Sequence, residues 1–374
     1  MRILHLIGQL HRGGAELQLM AMLQRMPAPQ FEHIVGVFWS GGDPDIIDGL
    51  TKAGCEIVCL DKHRGIDMGF QRRLNRLVKT RSFDVMHAWL MSSGLWGRLA
   101  EMMTRRRVPT VVSFRSSEVH TWPGGVGLDR FLDRYADVYI CNSLRVRDVW
   151  AERLKSDGSD MIVIDNGVDC QKFRPGDQTA MRTALGIDAD ALVICAVGSM
   201  KPAKNWPMFL EVASKVTTGN PKAVFLGIGG GPMLDEMRNR LNELGDADGR
   251  IRLLGDRTDV ADILRASDLL LSTSVVEGMS NAILEGMASG LPVVATRISG
   301  SEELVRHDQT GYLCQSRNLD DAVDRVEAIL TDPTLALQMS RAARQVAQEA
   351  YSFEQMADGH AKAYCRAIAA RQGK

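Results

Sequence analysis

Residues 275–292 read VVEGMSNAILEGMASGLP and follow the apolar run Leu269–Ser272. The apolar run predicts a buried strand, and the following segment predicts a loop and then a helix that begins near Ser280 or Asn281, both favoured N-cap residues. The first-turn amides and positive dipole end of such a helix suit a diphosphate. Gly278 has no side chain to block its approach. This stretch therefore predicts an anion-binding strand–loop–helix unit of an α/β fold.

Short apolar runs alternate with amphipathic stretches along all 374 residues, which is typical of α/β domains. Continuous apolar runs such as Leu192–Val197 indicate parallel strands covered on both faces. The turn-rich segment Asn166–Asp177 ends the first series of strands. We therefore expect two Rossmann-like, doubly wound domains, residues 1–170 and 171–350, that face each other across a cleft, with ligands at the carboxyl ends of the strands.

The charge balance argues against one class of partner and leaves another open. The chain has 45 Lys and Arg against 46 Asp and Glu, a net charge of −1, so we expect no bulk binding of nucleic acid. Met1–Arg174 nevertheless carries 24 basic against 20 acidic residues, with basic clusters in His63–Arg81 and Arg105–Arg107. Such a face is typical either of contact with an anionic membrane surface or an acidic acceptor, or of a solvated helix.

Cysteine spacing and hydropathy indicate the cellular compartment. The seven cysteines form no C-x-x-C pair, which predicts neither a disulfide framework nor a zinc site. The apolar start Met1–Gly8 is too short for a signal peptide, and no apolar stretch reaches the ~18 residues that span a bilayer. We therefore expect a cytoplasmic protein, either free or peripheral at the inner face of the membrane.

Two carboxylates flank the predicted anion site. Glu277 lies in the loop after the strand, and Glu285 lies about one turn into the helix. An ionised carboxylate accepts through both oxygens and so matches two adjacent sugar hydroxyls. The pair predicts contacts with a ribose and a hexose on either side of one phosphate site. The alternative is two surface acids near a helix start, where acids are favourable anyway.

Other acidic pairs occur in three Asp-x-Asp triplets. They are Asp43-Pro44-Asp45, Asp188-Ala189-Asp190 and Asp246-Ala247-Asp248. Each stands in a turn-rich segment rather than at the end of an apolar strand, and Asp, Pro and Gly favour turns. We therefore predict turns at these positions and no metal site.

The two glutamates belong to a longer pattern that resembles a known enzyme family. Glu277 and Glu285 form the E-x7-E motif of the retaining glycosyltransferases of family four (glycosyl transferases group 1), which have the GT-B fold. Further segments resemble the family in the same order: residues 163–169 (VIDNGVD), 229–232 (GGGP), 254–260 (LGDRTDV), 286–296 (GMASGLPVVAT) and 311–313 (GYL). The resemblance implies an acceptor-side domain at 1–170, a nucleotide-sugar-binding domain at 171–350 and a C-terminal helix, 351–374, that crosses back to the first domain.

The resemblance also implies which residues act on the donor. Glu277 would contact hydroxyls of the transferred sugar, Glu285 the ribose, and Lys204 the diphosphate, so that Glu277 and Lys204 form the catalytic pair. The donor-binding set that it implies is Gly13, Gly14, Ser199, Lys204, Arg257, Gly278, Met279, Ser280, Asn281 and Glu285. Ser199 departs from the family, which commonly has Arg there.

The predicted acceptor-side residues follow two strands of the first domain. They are His87, Arg115 and Ser116. Arg115 stands where many family members have His, and an Arg suits a phosphate or carboxylate of the acceptor. His87 either lines the cleft or is a hydrogen-bonded core histidine.

The resemblance implies transfer of a hexose-type sugar from a nucleotide diphosphate donor to a lipid-linked or polysaccharide acceptor, with retention of configuration. It implies cell-surface glycan biosynthesis, such as that of lipopolysaccharide or exopolysaccharide, with no metal or cofactor. Lys204 and the helix dipole would stabilise charge on the leaving diphosphate. A sugar-nucleotide epimerase of the same fold and a catalytically silent nucleotide-binding protein remain alternatives. A dinucleotide-binding oxidoreductase, suggested by Gly227–Pro232, is disfavoured because Pro232 replaces the last glycine of the fingerprint.

Overall fold

Parallel strands and helices alternate in the computed structural model, which describes residues 1–117, 125–246 and 248–373. The chain divides into two units. The first comprises Met1–Gly167 and Phe353–Lys374, and the second comprises Val168–Ser352. The chain thus leaves the first unit after Gly167 and returns to it at Phe353. The boundaries placed from the sequence, after residues 170 and 350, lie within three residues of these positions.

The described residues of the first unit form a parallel sheet of seven strands. These strands are β1 (Arg2–Ile7), β2 (Glu32–Val37), β3 (Glu56–Cys59), β4 (Val85–Trp89), β5 (Thr110–Phe114), β6 (Val138–Cys141) and β7 (Met161–Val163). They lie in the order β3-β2-β1-β4-β5-β6-β7. Because the order reverses between β1 and β4, the sheet is doubly wound and has its switch point at that pair.

The described residues of the second unit repeat this arrangement with six parallel strands. These strands are β8 (Leu192–Val197), β9 (Ala223–Ile228), β10 (Ile251–Gly255), β11 (Leu269–Ser272), β12 (Val293–Thr296) and β13 (Gly311–Cys314). They lie in the order β10-β9-β8-β11-β12-β13, so the switch point falls between β8 and β11. The predicted pair of Rossmann-like sheets is confirmed.

Helices connect the strands and cover the sheets. They are α1 (Gly14–Gln24), α2 (Pro44–Lys52), α3 (Met68–Thr80), α4 (Leu90–Thr104), α5 (Gly125–Leu132), α6 (Leu144–Leu154), α7 (Thr179–Ala184), α8 (Trp206–Gly219), α9 (Leu234–Leu244), α10 (Val260–Arg265), α11 (Asn281–Ala288), α12 (Ser299–Glu302), α13 (Leu319–Thr331), α14 (Pro333–Ala350) and α15 (Phe353–Gln372). Several begin at a side chain that accepts a first-turn amide, which stabilises a helix by about 1 kcal/mol. These N-caps are Asp43, Asp67, Ser143, Ser280, Asn318 and Asp332.

The turn predicted at Asp43-Pro44-Asp45 is wrong. Asp43 is the N-cap of α2, and Pro44 is the first residue of that helix, a position where the missing N–H and fixed φ of proline cost nothing. Asp188 and Asp190 do lie in a loop before β8. The third triplet contains Ala247, which lies outside the described residues.

Each sheet separates two apolar cores. Along β8, Val193 and Cys195 pack on one face, while Ile194 packs on the other. Along β1, Ile3 and Leu4 likewise belong to different cores. Alternate side chains of a strand point to opposite faces, so continuous apolar strands follow from burial on both faces.

The C-terminal helix α15 completes the first unit. Tyr364 is fully buried in the same core as Ile3, and Arg371 Nη2 lies 2.7 Å from Asp137 Oδ2. Arg371 also pairs with Glu101 at 3.3 Å. Helix α15 is therefore a structural member of the unit that begins with Met1.

Candidate functional site

Hydrogen bonds join the loops that follow β8 and β11 at the switch point of the second sheet. Val275 N donates to Ala203 O at 2.8 Å. Thr273 Oγ1 lies 3.1 Å from the carbonyl oxygens of both Lys204 and Asn205. The chain winds to opposite faces from these two strands, which leaves a crevice at their carboxyl ends. The bonds fix the two walls of that crevice against each other.

Lys204 and Glu277 form an ion pair in this crevice. Lys204 ends a short 3-10 helix, Pro202–Lys204, and its Nζ donates to Glu277 Oε1. Ser274 Oγ donates to the same oxygen at 3.0 Å. Only 18% of the Lys204 side chain and 14% of the Glu277 side chain are exposed. The pair is thus partly shielded from water, where charge-assisted hydrogen bonds are strong.

Gly300 supports the loop that carries Glu277. A Cβ atom at position 300 would lie 2.7 Å from Glu277 Cβ and 2.8 Å from Gly278 O. Real Cβ atoms do not approach other atoms this closely, so any side chain here would displace the loop. The glycine after Ser299 is therefore required for the observed position of Glu277.

Helix α11 begins directly after this loop, as the sequence predicts. Ser280 Oγ accepts from Ile283 N at 3.5 Å as the N-cap, and Asn281 is the first helical residue. The positive end of the helix dipole therefore lies beside Glu277 and Gly278. The Met279 side chain packs in the hydrophobic core, so that only the backbone of Met279 is placed to contact a ligand.

Glu285 lies on α11 in a half-buried position. Burial raises the pKa of Glu285 to about 7, although the positive charges of Lys172 and Lys204 act to lower it. Desolvation favours the neutral form of a carboxyl group, and nearby cations favour the ionised form. Lys204 therefore acts on two carboxylates, Glu277 by direct contact and Glu285 through its charge.

The glycine run 229–231 packs against the loop that contains Ser199. Met200 N donates to Gly230 O at 2.7 Å, and Gly230 N donates to Asp256 Oδ1 at 2.6 Å. A Cβ atom on Gly231, which has φ of +140°, would lie 2.8 Å from Met200 O. These glycines allow close approach of two loops. Ser199 itself is exposed.

Arg257, a predicted donor ligand, is paired within its own loop. Its Nε and Nη2 donate to the two carboxylate oxygens of Asp259, and this contact raises the pKa of Arg257. A bidentate pair uses most of the guanidinium fork. Arg257 would have to exchange Asp259 for a phosphate in order to bind the donor.

The glycine-rich loop of the first unit is held at both ends. Arg12 Nε donates to Asp43 Oδ2 at 2.9 Å, and Gly13 is the N-cap of α1, so that Gly14 opens the helix. The Glu16 carboxylate folds back against Gly13, in space that a Cβ atom there would occupy. Burial raises the pKa of Glu16. An acidic side chain thus already lies at the amino end of α1.

Arg115 follows β5 at the same edge of the first sheet. Its Nη2 donates to Asn166 Oδ1, and its Cζ lies 5.0 Å from the centroid of the Trp89 ring. Burial lowers the pKa of Arg115 to about 10, against the charge of Glu16. Among the described residues, its Nη1 has no hydrogen-bond partner, so one donor of the fork is unsatisfied. The half-buried Ser116 uses its carbonyl to accept from Trp150 Nε1 at 3.3 Å.

His87 lies in the interior of the first unit, which corrects its assignment to the acceptor side. It is fully buried, its Nδ1 lies 2.8 Å from Tyr364 Oη, and its Nε2 lies 2.6 Å from Ser113 Oγ. His5 and His360 lie beside it, with ring centroids 5.6 and 5.7 Å away. Burial lowers the pKa of His87 well below its usual value. The core histidine that the sequence left as an alternative is what the structure contains.

Two family models match this chain. "Glycosyltransferase Family 4" matches residues 12–172, and "Glycosyl transferases group 1" matches residues 191–332. Together these spans contain most of both sheets, the switch point of the second sheet and the pair Lys204–Glu277. The chain belongs to this glycosyltransferase family.

Two curated relatives and one solved structure are similar to this glycosyltransferase. The UDP-Gal:alpha-D-GlcNAc-diphosphoundecaprenol alpha-1,3-galactosyltransferase of Escherichia coli is 28% identical over 86% of this chain and 88% of its own length. The N-acetyl-alpha-D-glucosaminyl L-malate synthase of Bacillus anthracis is 24% identical over 80% of this chain and 78% of its own. Anabaena HepE, solved with UDP and glucose, superposes with a TM-score of 0.84 at 21% identity over 97% and 98% of the two chains. The fold is therefore that of GT-B glycosyltransferases.

Residue-by-residue reasoning missed several side chains of this glycosyltransferase's candidate site. Ser274 contacts Glu277, Lys172 acts on Glu285, and Asn166 binds Arg115. The position of Glu16 could have been predicted, because a carboxyl group three residues after Gly13 lies in the first turn of the helix that begins there. The contacts of Lys172 and Asn166 join segments far apart in sequence, whereas the contact between Ser274 and Glu277 depends on the conformation of one loop.

Residues 1–117, 125–246 and 248–373 contain no group of three or more His, Cys, Asp or Glu side chains placed to hold a metal ion. No helix in those ranges is both long and apolar enough to cross a membrane.

Proposed function

We propose that this protein is a retaining glycosyltransferase that moves a hexose-type sugar from a nucleoside diphosphate donor to a glycan acceptor with an anionic group, such as a lipid-linked diphosphate. One observation carries the proposal. The Lys204 ammonium lies at the switch point of the second sheet, in contact with Glu277 and within the electrostatic reach of Glu285. A cation between two hydroxyl-binding carboxylates matches a diphosphate between two sugars.

In the proposed reaction, the donor diphosphate lies against Lys204 and the amino end of α11. Both stabilise the charge that develops as the bond between the sugar C1 and the phosphate oxygen breaks. Glu277 and Glu285 accept hydroxyls of the transferred sugar and the ribose. The acceptor oxygen bonds to C1 on the face that the phosphate leaves, and its proton passes to the departing phosphate oxygen. These charges are neutralised without a metal ion, and Glu277 positions the sugar rather than attacking it.

Two observations support an anionic acceptor. The two curated relatives are named for a diphosphate-linked lipid and for L-malate, which are both anions. In the first unit, the Arg115 guanidinium lies at the carboxyl edge of the sheet, and its Nη1 has no hydrogen-bond partner within the described part of the chain. Arg matches phosphate and carboxylate oxygens in geometry as well as in charge.

The proposal is tested in two steps. A thermal-shift screen of nucleoside diphosphates and nucleotide sugars identifies the donor, because a ligand that binds the native state raises the melting temperature. Glu277→Gln is then compared with Glu302→Gln, a change at an exposed residue. We expect Glu277→Gln to lower kcat by roughly a hundredfold to a thousandfold, and NMR of the product to show retention. Full activity of Glu277→Gln, an inverted product, or epimerised donor formed without acceptor would each overturn the proposal.

A further inference from the structure

The loop between β3 and α3 exposes apolar side chains to solvent. Ile66 is 88% exposed and Met68 is 51% exposed. Two exposed apolar side chains so close in sequence, one in the loop and one at the start of α3, are costly in water unless another surface covers them. The loop follows β3 and therefore lies at the carboxyl edge of the first sheet, where Arg115 also lies.

A caged lysine holds this loop in place. Lys62 is 8% exposed, and its Nζ donates to the carbonyl oxygens of His63 and Gly65 at 2.9 and 2.7 Å. The same Nζ lies within 6.0 Å of three aromatic ring centroids, those of Trp39, Phe70 and Trp96. Cation–π contacts and hydrogen bonds to a buried ammonium are both stabilising. Ile66 is therefore presented by a braced loop.

Next to this loop, the exposed face of α3 carries a basic stripe that consists of Arg72, Arg76 and Lys79. Met68, Arg72, Arg76 and Lys79 recur at helical spacing and are all exposed, whereas the opposite face is buried. The helix is therefore amphipathic, with cations rather than mixed charges on its outer side.

The end of α4 extends the stripe. Asn75 Nδ2 lies 3.7 Å from Met103 Sδ, and Arg106 Nη2 donates to Lys79 O at 2.7 Å. Met103 and Arg106 are both exposed.

Basic side chains outnumber acidic ones on this surface. Between residues 61 and 80 the sequence has six Lys and Arg against two acids, Asp61 and Asp67. The Asp67 carboxylate is turned inward and accepts from His63 N and Phe70 N. Two copies of the same face would repel each other, whereas an anionic surface is complementary to it.

We propose that Ile66, Met68, Arg72, Arg76, Lys79 and Arg106 form a docking face for the surface of an anionic lipid bilayer. The apolar tip enters the boundary between headgroups and acyl chains, and the basic stripe lies against the headgroups. This inference deepens the proposed lipid-linked acceptor. Docking is measured without donor or acceptor, so that either proposal can fail while the other stands.

The test is co-sedimentation of the full chain with vesicles. We expect binding to phosphatidylcholine vesicles that contain about one-third phosphatidylglycerol, weaker binding at high salt, and none to phosphatidylcholine alone. The triple variant Arg72→Gln/Arg76→Gln/Lys79→Gln should bind about a hundredfold more weakly, because each basic residue contributes about fivefold at an anionic surface. Ile66→Ser should lower binding by about tenfold, since one aliphatic side chain no longer enters the bilayer.

Matched changes on the second unit serve as controls. The triple variant Arg238→Gln/Arg306→Gln/Arg341→Gln removes the same charge from exposed residues, and Leu337→Ser removes a side chain that is 51% exposed. Both controls should bind like the parent, and all variants should keep its melting temperature. Equal losses in the controls, no binding to anionic vesicles, or an oligomer that Ile66→Ser dissociates would each overturn the docking face.

Discussion

Lys204 Nζ donates to Glu277 Oε1, so the cation proposed for the diphosphate rests against the carboxylate proposed for the sugar. The contact keeps both side chains at the switch point of the second sheet, and Ser274 holds the same carboxylate oxygen. A donor that binds here must draw Lys204 toward its phosphates and offer hydroxyls to Glu277. The ion pair therefore pre-positions both partners, which lowers the ordering cost of binding.

Replacing the Lys204 ammonium should lower the affinity for the donor more than it lowers the stability of the fold. We expect Lys204→Met to lower the affinity for the diphosphate product, UDP in the first trial, by roughly tenfold to a hundredfold, since one charge-assisted hydrogen bond is lost. Calorimetric titration measures this change. Lys201→Met, an exposed neighbour in the same loop, is the control. A similar loss of UDP affinity in both variants would contradict a specific contact between Lys204 and the diphosphate.

Glu285 should make stability depend on pH. Its pKa of about 7 in the folded protein exceeds the value of 4.5 expected when it is exposed, so the unfolded chain loses this proton first as the pH rises. The parent therefore loses stability between about pH 4.5 and 7, and Glu285→Gln does not. In urea unfolding, the free energy of unfolding of Glu285→Gln relative to that of the parent should be higher at pH 8 than at pH 5. Glu236→Gln, at an exposed site on α9, should show no such difference, and a pH-independent gap for Glu285→Gln would contradict the assignment.

Gly300 should be needed for turnover. In Gly300→Ala the new methyl group meets Glu277 Cβ and Gly278 O, so we expect kcat to fall by roughly tenfold or more because a small misplacement is costly in catalysis. Because Gly300 and Gly278 are both buried, we expect this overpacking to lower the melting temperature as well, so kcat is measured well below the melting temperature of the variant. Gly219→Ala, where the nearest atom would be Glu327 Oε1 at 3.6 Å, is the control. Parental kcat in Gly300→Ala would mean that the loop adjusts freely.

The caged ammonium of Lys62 should stabilise the first unit. Lys62→Met leaves the carbonyl oxygens of His63 and Gly65 without their donor, and we expect the free energy of unfolding to fall by about 1–3 kcal/mol. Urea unfolding measures this change. Lys52→Met, which removes a side chain that is 76% exposed, should change stability by less than about 0.5 kcal/mol. Equal effects would show that the cage contributes nothing specific.

Transfer should persist in the presence of a chelator. Lys204 and the amino end of α11 are proposed to neutralise the diphosphate, so we expect excess EDTA to change kcat/KM by less than about twofold. Adding back Mg²⁺ checks for recovery. Loss of activity that Mg²⁺ restores would place a cation in the reaction.

The alternation of strands and helices along the chain followed from apolar periodicity, but some individual elements did not. The start of helix α2 is not predicted, because Asp43-Pro44 fits a turn. Asp at the N-cap and Pro at the first position are equally typical of the start of a helix. Strand β13, Gly311–Cys314, begins with glycine and has no continuous apolar run, whereas the equally short β11, Leu269–Ser272, begins with three leucines. A short strand is therefore predicted from sequence only when its residues are almost all apolar.

For the candidate site too, features set by neighbouring residues were predictable from the sequence, whereas burial and side-chain pairing were not. The strand–loop–helix at Glu277 is local, so the N-cap at Ser280 and the position of the carboxylate followed from adjacent residues. His87 stands on a central strand whose side chains are all buried, and the strand pattern does not reveal which of them reach solvent. Arg257 is paired with Asp259 only two residues away, but whether such a pair forms depends on the loop conformation.

The chain order of the two units sets a constraint on biosynthesis. The first core lacks Tyr364 and the Arg371–Asp137 pair until the ribosome has made all of Val168–Ser352 and then α15. The unit whose synthesis begins first is therefore the last to be finished, while the other unit is continuous and able to fold before it. A chain that is released before residue 353 would contain a complete second unit, whereas its first unit would lack α15 and be prone to aggregation.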